Sequence, residues 1–167
     1  TGTSAVTQTT ELEADMIKDI LVNLSYGTSQ DGVSNCALSV AETFGAHITG
    51  IAFHPAVLGG VDLPANFIRA QQGEAQERAQ AVATAFDEAT RRAGVSAETR
   101  RIEAGTGDVP TQFAKIARRF DLSVIGQFER DRDHRTTNVV IEAALFESGR
   151  PVLIVPFIQK DRLKLDH

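Results

Sequence analysis

The sequence lacks the short motifs that mark most enzymes. It has no G-x-S-x-G elbow, no G-x-x-x-x-G-K-[ST] phosphate loop, no C-x-x-C pair and no H-E-x-x-H metal motif. These absences argue against serine hydrolase, P-loop, thiol-redox and zincin chemistry, and no enzymatic activity is expected. Cysteine is nearly missing as well: Cys36 alone can form no internal disulfide, which fits a reducing compartment such as the cytoplasm. No apolar run approaches 18 residues and no signal-peptide pattern opens the chain, so neither a membrane helix nor secretion is expected. There is no excess of positive charge. The formal net charge is -5, which gives no electrostatic reason to expect nucleic acid or an acidic membrane as partner.

The chain has 167 residues, 42% of them hydrophobic and 23% charged, the balance of an ordinary globular domain able to bury one core. Its only methionine is Met16, directly before the first aliphatic run. Residues 1–15, TGTSAVTQTTELEAD, are polar and Thr-rich and read as a vector-derived leader. Without Glu11, Glu13 and Asp15, 17 basic residues face 19 acidic ones. The domain proper is expected over 16–158. The tail 159–167 reads as a linker toward a second copy of the unit, because RLKLDH faintly resembles MIKDIL.

Apolar periodicity then alternates between two kinds of segment. IKDILVNL (17–24) is the continuous aliphatic run of a strand covered on both faces. Val33, Cys36, Ala37, Val40, Ala41 and Phe44 recur at helical spacing up to Gly45, with Thr28 and Asp31 placed as a capping box. HITGIAFH (47–54) is a second strand. After a loop rich in Pro and Gly, with Gly59-Gly60 as a turn, a long helix over 67–92 carries Ala79, Val82, Ala83, Phe86 and Ala93 on one stripe and stops at Gly94. SAETRRIEA (96–104) alternates as a half-exposed strand near a sheet edge. Asp108 and Pro110 open a helix that buries Phe113, Ile116, Ala117 and Phe120. DLSVIGQ (121–127) is the fourth strand, Thr136 or Thr137 caps a helix to Glu147, and PVLIVPF (151–157) is the fifth strand. Such alternation requires right-handed crossovers and a parallel sheet with helices on both faces. Ligands in sheets of this kind bind at the carboxyl ends of the strands, where the winding reverses.

GTGDVPTQFAKIARRFDLSVIG leading to SGRPVLIVPF resembles the universal stress protein family over roughly residues 17–157. The resemblance implies a Rossmann-like α/β fold with sheet order 3-2-1-4-5 and a crevice between the first and fourth strands. In members that bind ATP, an Asp ends the first strand and G-x-x-G-x9-G-[ST] wraps the phosphates before the last helix. Backbone N–H groups and a helix N-terminus then face the anion. In this sequence Ser25 holds the strand-end position, Gly126 keeps the first glycine, the second falls on Glu129, and the closing pair corresponds to Asn138 and Val139. A carboxylate beside a triphosphate is repelled where water is scarce. The nucleotide-binding pattern is therefore degenerate and no cofactor is expected. The alternative is ATP held in a modified crevice by Ser25, Phe53, Gly126, Gln127, Asn138 and Val139.

Other polar residues admit plainer readings. ERDRDHR (129–135) offers Arg130, Arg132 and Arg135 for an anion and Asp131, Asp133 and His134 for a cation, yet its alternating charges read as a solvated loop. His47 and His54, seven apart on one strand, point to opposite faces and form no joint site. Gly105-x-Gly107 lacks a third glycine and is a weak dinucleotide signal. The last strand is different, because an aliphatic edge offers unpaired backbone groups to a partner. The resemblance implies antiparallel pairing there, so Val152, Leu153, Ile154 and Val155 are expected to form a two-fold contact with a second copy or a tandem domain. The expected function is that of a non-catalytic stress-response domain acting through dimerisation or partner binding.

Overall fold

In the computed structural model, residues 17–24, 30–56, 63–105, 107–127 and 135–165 are described. The expected leader, the Thr28–Asp31 capping box, Ser25, Gly59-Gly60 and most of ERDRDHR lie wholly or in their side chains outside these residues. The element order is β1 (Asp19–Asn23), α1 (Gln30–Phe44), β2 (His47–Pro55), α2 (Ala65–Ala93), β3 (Ala97–Ala104), α3 (Val109–Ala117), β4 (Leu122–Gly126), α4 (Arg135–Glu147) and β5 (Val152–Val155). All strand pairs are parallel and the order is β3-β2-β1-β4-β5, as the resemblance implied. Alternating chain segments thus became alternating layers.

Side-chain alternation on the central strands feeds two separate cores. On one face Ile20, Val22 and Ile48 meet Val33, Cys36, Ala37 and Val40 of α1 and Ala79 and Phe86 of α2. On the other, Leu21, Ile51, Phe53 and Ile125 meet Phe113 and Ala117 of α3 and Val140, Ile141 and Ala144 of α4. Each wholly buried aliphatic of this kind contributes about 1.5–3 kcal/mol relative to exposure. Burial of Cys36 also pushes its thiol pKa up, as expected of a small core residue rather than a reactive one.

Helix α2 has 29 residues, and its buried positions are Ala79, Ala83, Phe86 and Thr90, all in its second half. The first half extends beyond the core as a solvated rod. Gly94, at φ 68°, closes the helix with its N–H donating to the Arg91 carbonyl, a conformation open to glycine without strain. Helix α4 corrects one expectation. It begins at Arg135, so Thr136 and Thr137 lie inside its first turn and neither is its N-cap. Strand β3 alternates between half-buried and exposed residues, as expected of a sheet edge.

Two long-range ties position the sheet ends. The Asp121 carboxylate accepts from the backbone N–H of Lys18 at 2.9 Å and of Asp19 at 3.1 Å, joining β1 to the start of β4. The Lys18 N–H is the main cause of its lowered pKa, opposed by desolvation and helped by the Asp19 N–H and by Arg150 and Lys18 charge. A lowered folded-state pKa means stabilisation that is complete above the ordinary carboxylate range and is lost as pH falls through the folded value. Asp121→Asn keeps an acceptor but no charge. We expect it to cost about 1 kcal/mol at pH 7, with the difference from the parent protein closing below about pH 4, as read by urea unfolding at several pH values.

The second tie is the segment after β5, which folds back over α1. Asn35 Nδ2 donates to the Lys160 carbonyl at 2.8 Å, the Leu163 N–H donates to Ser39 Oγ at 3.1 Å, and Arg162 holds both Glu42 carboxylate oxygens at 2.7 Å. Leu163 packs against the first core. Residues 160–163 of the expected tail therefore pack against α1.

Candidate functional site

The crevice implied by the strand order is created by hydrogen bonding at the ends of β1 and β4. Their pairing is recorded from Ile20↔Leu122 to Val22↔Val124. Beyond it the Leu24 N–H turns to the Ile51 carbonyl of β2 at 2.8 Å, while the Gln127 N–H turns to the Val155 carbonyl of β5 at 2.7 Å. Each strand is drawn toward its outer neighbour, and the seam between them opens where the winding reverses.

Gly126 is buried at the carboxyl end of β4 and Gln127 is exposed just beyond it. Phe53 is 9% exposed and belongs to the second core, so it presents little surface to a ligand. Asn138 and Val139 are both exposed on α4, Val139 at 46%. The nine residues after position 129 end at Asn138, so the strict spacing sets the closing pair on Val139 and Val140, one place later than Asn138 and Val139. Val140 is buried in the second core. With α4 starting at Arg135, N–H groups from Val139 onward are claimed by the helix's own i−4 bonds. Val139, where the resemblance would place a glycine, therefore has its backbone donor already engaged in the helix.

Some features of this region were not anticipated from sequence. Asn23 is a buried amide at the end of β1, and its only sequence signal is one polar residue inside ILVNL. His54 lies on the opposite face of β2 from His47, as the strand period required. Its Nδ1 is buried, with no hydrogen-bond partner among the described residues, and the same holds for Ser123 Oγ in β4. His47 Nδ1 instead lies 2.8 Å from Ser96 Oγ. Gly105 serves a tight turn into α3: its carbonyl accepts from the Asp108 N–H at 2.8 Å, and a Cβ there would stand 2.8 Å from an Asp108 carboxylate oxygen. That use accounts for the glycine without a dinucleotide. Among the described residues no group of three or more His, Cys, Asp or Glu could hold a metal ion, and no helix is long and apolar enough to cross a membrane.

Comparison with known proteins gives the fold a class. No family model matches the sequence, and no curated protein matches it. Solved structures do. A universal stress protein family member from Burkholderia pseudomallei superposes with a TM-score of 0.66 at 22% identity, covering 84% of this chain and 97% of its own. UspA from Lactobacillus plantarum gives 0.64 at 14% identity, covering 83% and 97%. A universal stress protein in complex with cAMP gives 0.59 at 18% identity, covering 84% and 97%. The chain thus has the universal stress protein fold, a parallel five-stranded α/β domain of Rossmann-like build.

Proposed function

We propose that this domain acts without catalysis, by association through its last strand, and does not hold ATP in the manner of the nucleotide-binding universal stress proteins. The observation that carries the reading is the open edge of the sheet at β5, and the helix that precedes it carries exposed apolar side chains. Phe146 is 83% exposed on α4, with Leu145 at 45% and Val139 at 46%. Val152 and Ile154 of the adjoining β5 are half-buried over the same core. Among the described residues, strand β5 has β4 as its one neighbour in the sheet. The carbonyls of Pro151 and Val155 accept from β4 and the loop after it, so the alternate residues Val152 and Ile154 turn their amides outward. An outward amide row on an edge strand suits a second copy related by a two-fold axis, and the exposed apolar residues of α4 offer it further surface to bury.

The expected species is a dimer. Phe146→Glu places a charge at a position where the isolated fold loses little, and it should shift the protein toward monomer by at least ten-fold in dissociation constant. Light scattering coupled to size exclusion checks this across a concentration series. A strict monomer at high micromolar concentration for the parent protein contradicts the reading.

The structural neighbour bound to cAMP favours a second reading, in which an adenine nucleotide occupies a modified crevice. Against it stand Glu129, Val139 and Val140 at the positions of the three glycine or hydroxyl residues. Thermal-shift titration separates the two readings, since ligand at 100 times its dissociation constant stabilises a fold by about 2.7 kcal/mol.

A further inference from the structure

Helices α1 and α2 cover one face of the sheet, whereas on the other face α3 and α4 pack over a core that includes Leu21, Ile51, Phe53, Ala104 and Ile125. Toward the amino ends of β2 and β3 on that second face, beside the end of α3, a groove of about 490 Å³ opens among the described residues. It lies toward the amino ends of the strands, starting at the Asp19↔His47 pair, and is therefore distinct from the crevice at their carboxyl ends.

The groove has an apolar body and an unbalanced polar rim. Ile51 and Ile102 rise from the sheet, while Ile116 and Phe120 form the helix side. On the sheet, Glu98 is already engaged: it pairs with Arg100 at 2.6 Å and accepts from the buried Thr49 hydroxyl at 3.2 Å. On the wall, Lys115 and Arg119 stand four residues apart on one side of the helix end, with no side-chain partner among the described residues. Asp19 is the remaining carboxylate in the lining. With Glu98 and Arg100 cancelling, the rim carries one unmatched positive charge. That balance suits a single negative charge and is over-neutralised by a polyphosphate. The volume lies within the roughly 300–1,000 Å³ of small-molecule sites, and the apolar lining favours a ligand with a hydrocarbon body.

We infer that this groove is a binding site for a small monocarboxylate with an apolar body, its carboxylate held by Lys115 and Arg119 and its body lying on Ile51, Ile102, Ile116 and Phe120. The inference stands apart from the crevice and from the β5 surface. Calorimetric titration with decanoate, below its micellar concentration, tests it. One site per chain is expected, with 1-decanol, which lacks the charge, at least ten-fold weaker. Lys115→Glu/Arg119→Glu should weaken decanoate at least ten-fold while leaving the melting temperature nearly unchanged, because both side chains are exposed. Ile102→Trp, which fills the groove from the sheet, should also abolish binding, whereas Phe146→Glu should leave it intact. The inference is overturned by absence of saturable binding up to about 1 mM decanoate, by equal binding of 1-decanol, or by binding that survives Lys115→Glu/Arg119→Glu but is lost in Phe146→Glu.

Discussion

Phe86→Ala should destabilise the domain by about 3–5 kcal/mol, among the largest effects expected of a single truncation at the described residues. The ring is 1% exposed and sits in the core between α2 and the sheet. It is the largest side chain through which the long helix reaches the strands, since the helix's other buried positions are Ala79, Ala83 and Thr90. Small residues elsewhere on α2 leave little that could collapse into the space, so most of the cavity would persist. Because a domain of this size has only about 5–15 kcal/mol of stability in total, the variant should unfold at a much lower urea midpoint with an unchanged slope. A loss below about 1 kcal/mol would mean that α2 is anchored by something other than this ring.

Gly50→Val is the second large effect, and it arises on the same spot from the opposite cause. A Cβ on Gly50 would stand 2.8 Å from Leu24 Cδ1 and 2.9 Å from Phe86 Cε1, closer than such atoms pack without displacement. Gly50 lies in the middle of β2, paired to Val22 on one side and Thr99 on the other, so the backbone cannot retreat. Overpacking of this kind typically costs about 1–3 kcal/mol, and valine's two methyl groups place the expectation at the upper end. The pair should be strongly non-additive. In Phe86→Ala the added valine fills part of the vacated space, so the double variant should be more stable than the sum of the single losses by about 1 kcal/mol or more. Strict additivity would show that Gly50 and Phe86 do not share a packing constraint.

The fold was legible because its signal is local. Continuous aliphatic runs such as IKDILVNL and VLIV read as strands with both faces covered, and the stripe of α2 named its inward residues. The half-polar SAETRRIEA gave an edge strand. What was missed depends on residues far apart in the chain. Ile116 and Phe120 lie on the apolar stripe of α3 and were expected to be buried, yet both are half-exposed. They form the wall of the groove, and no local pattern reveals that the end of α3 leaves a gap beside the amino ends of β2 and β3. The fold-back of the tail rests on Arg162 meeting Glu42, 120 residues earlier, a pairing that spacing cannot suggest. The cap of α4 was misplaced because two threonines beside a polar run look like N-caps whether or not the helix has already begun.

The candidate site was legible in a different sense. Its residues can be read as departures from a pattern, and the structure adds reasons for two of them. Val140 is committed to the second core, and the N–H of Val139 is committed to the helix ladder. Phe53 likewise faces the core rather than open space. Glu129 lies outside the described residues, and its proposed effect rests on its charge alone.

The most direct test is calorimetric titration of the purified protein with ATP, ADP and AMP, with and without magnesium. No saturable heat up to about 1 mM nucleotide and no rise in melting temperature are expected. Saturable binding of ATP at one site per chain, lost when Gly126 is replaced by valine, would contradict the proposed function.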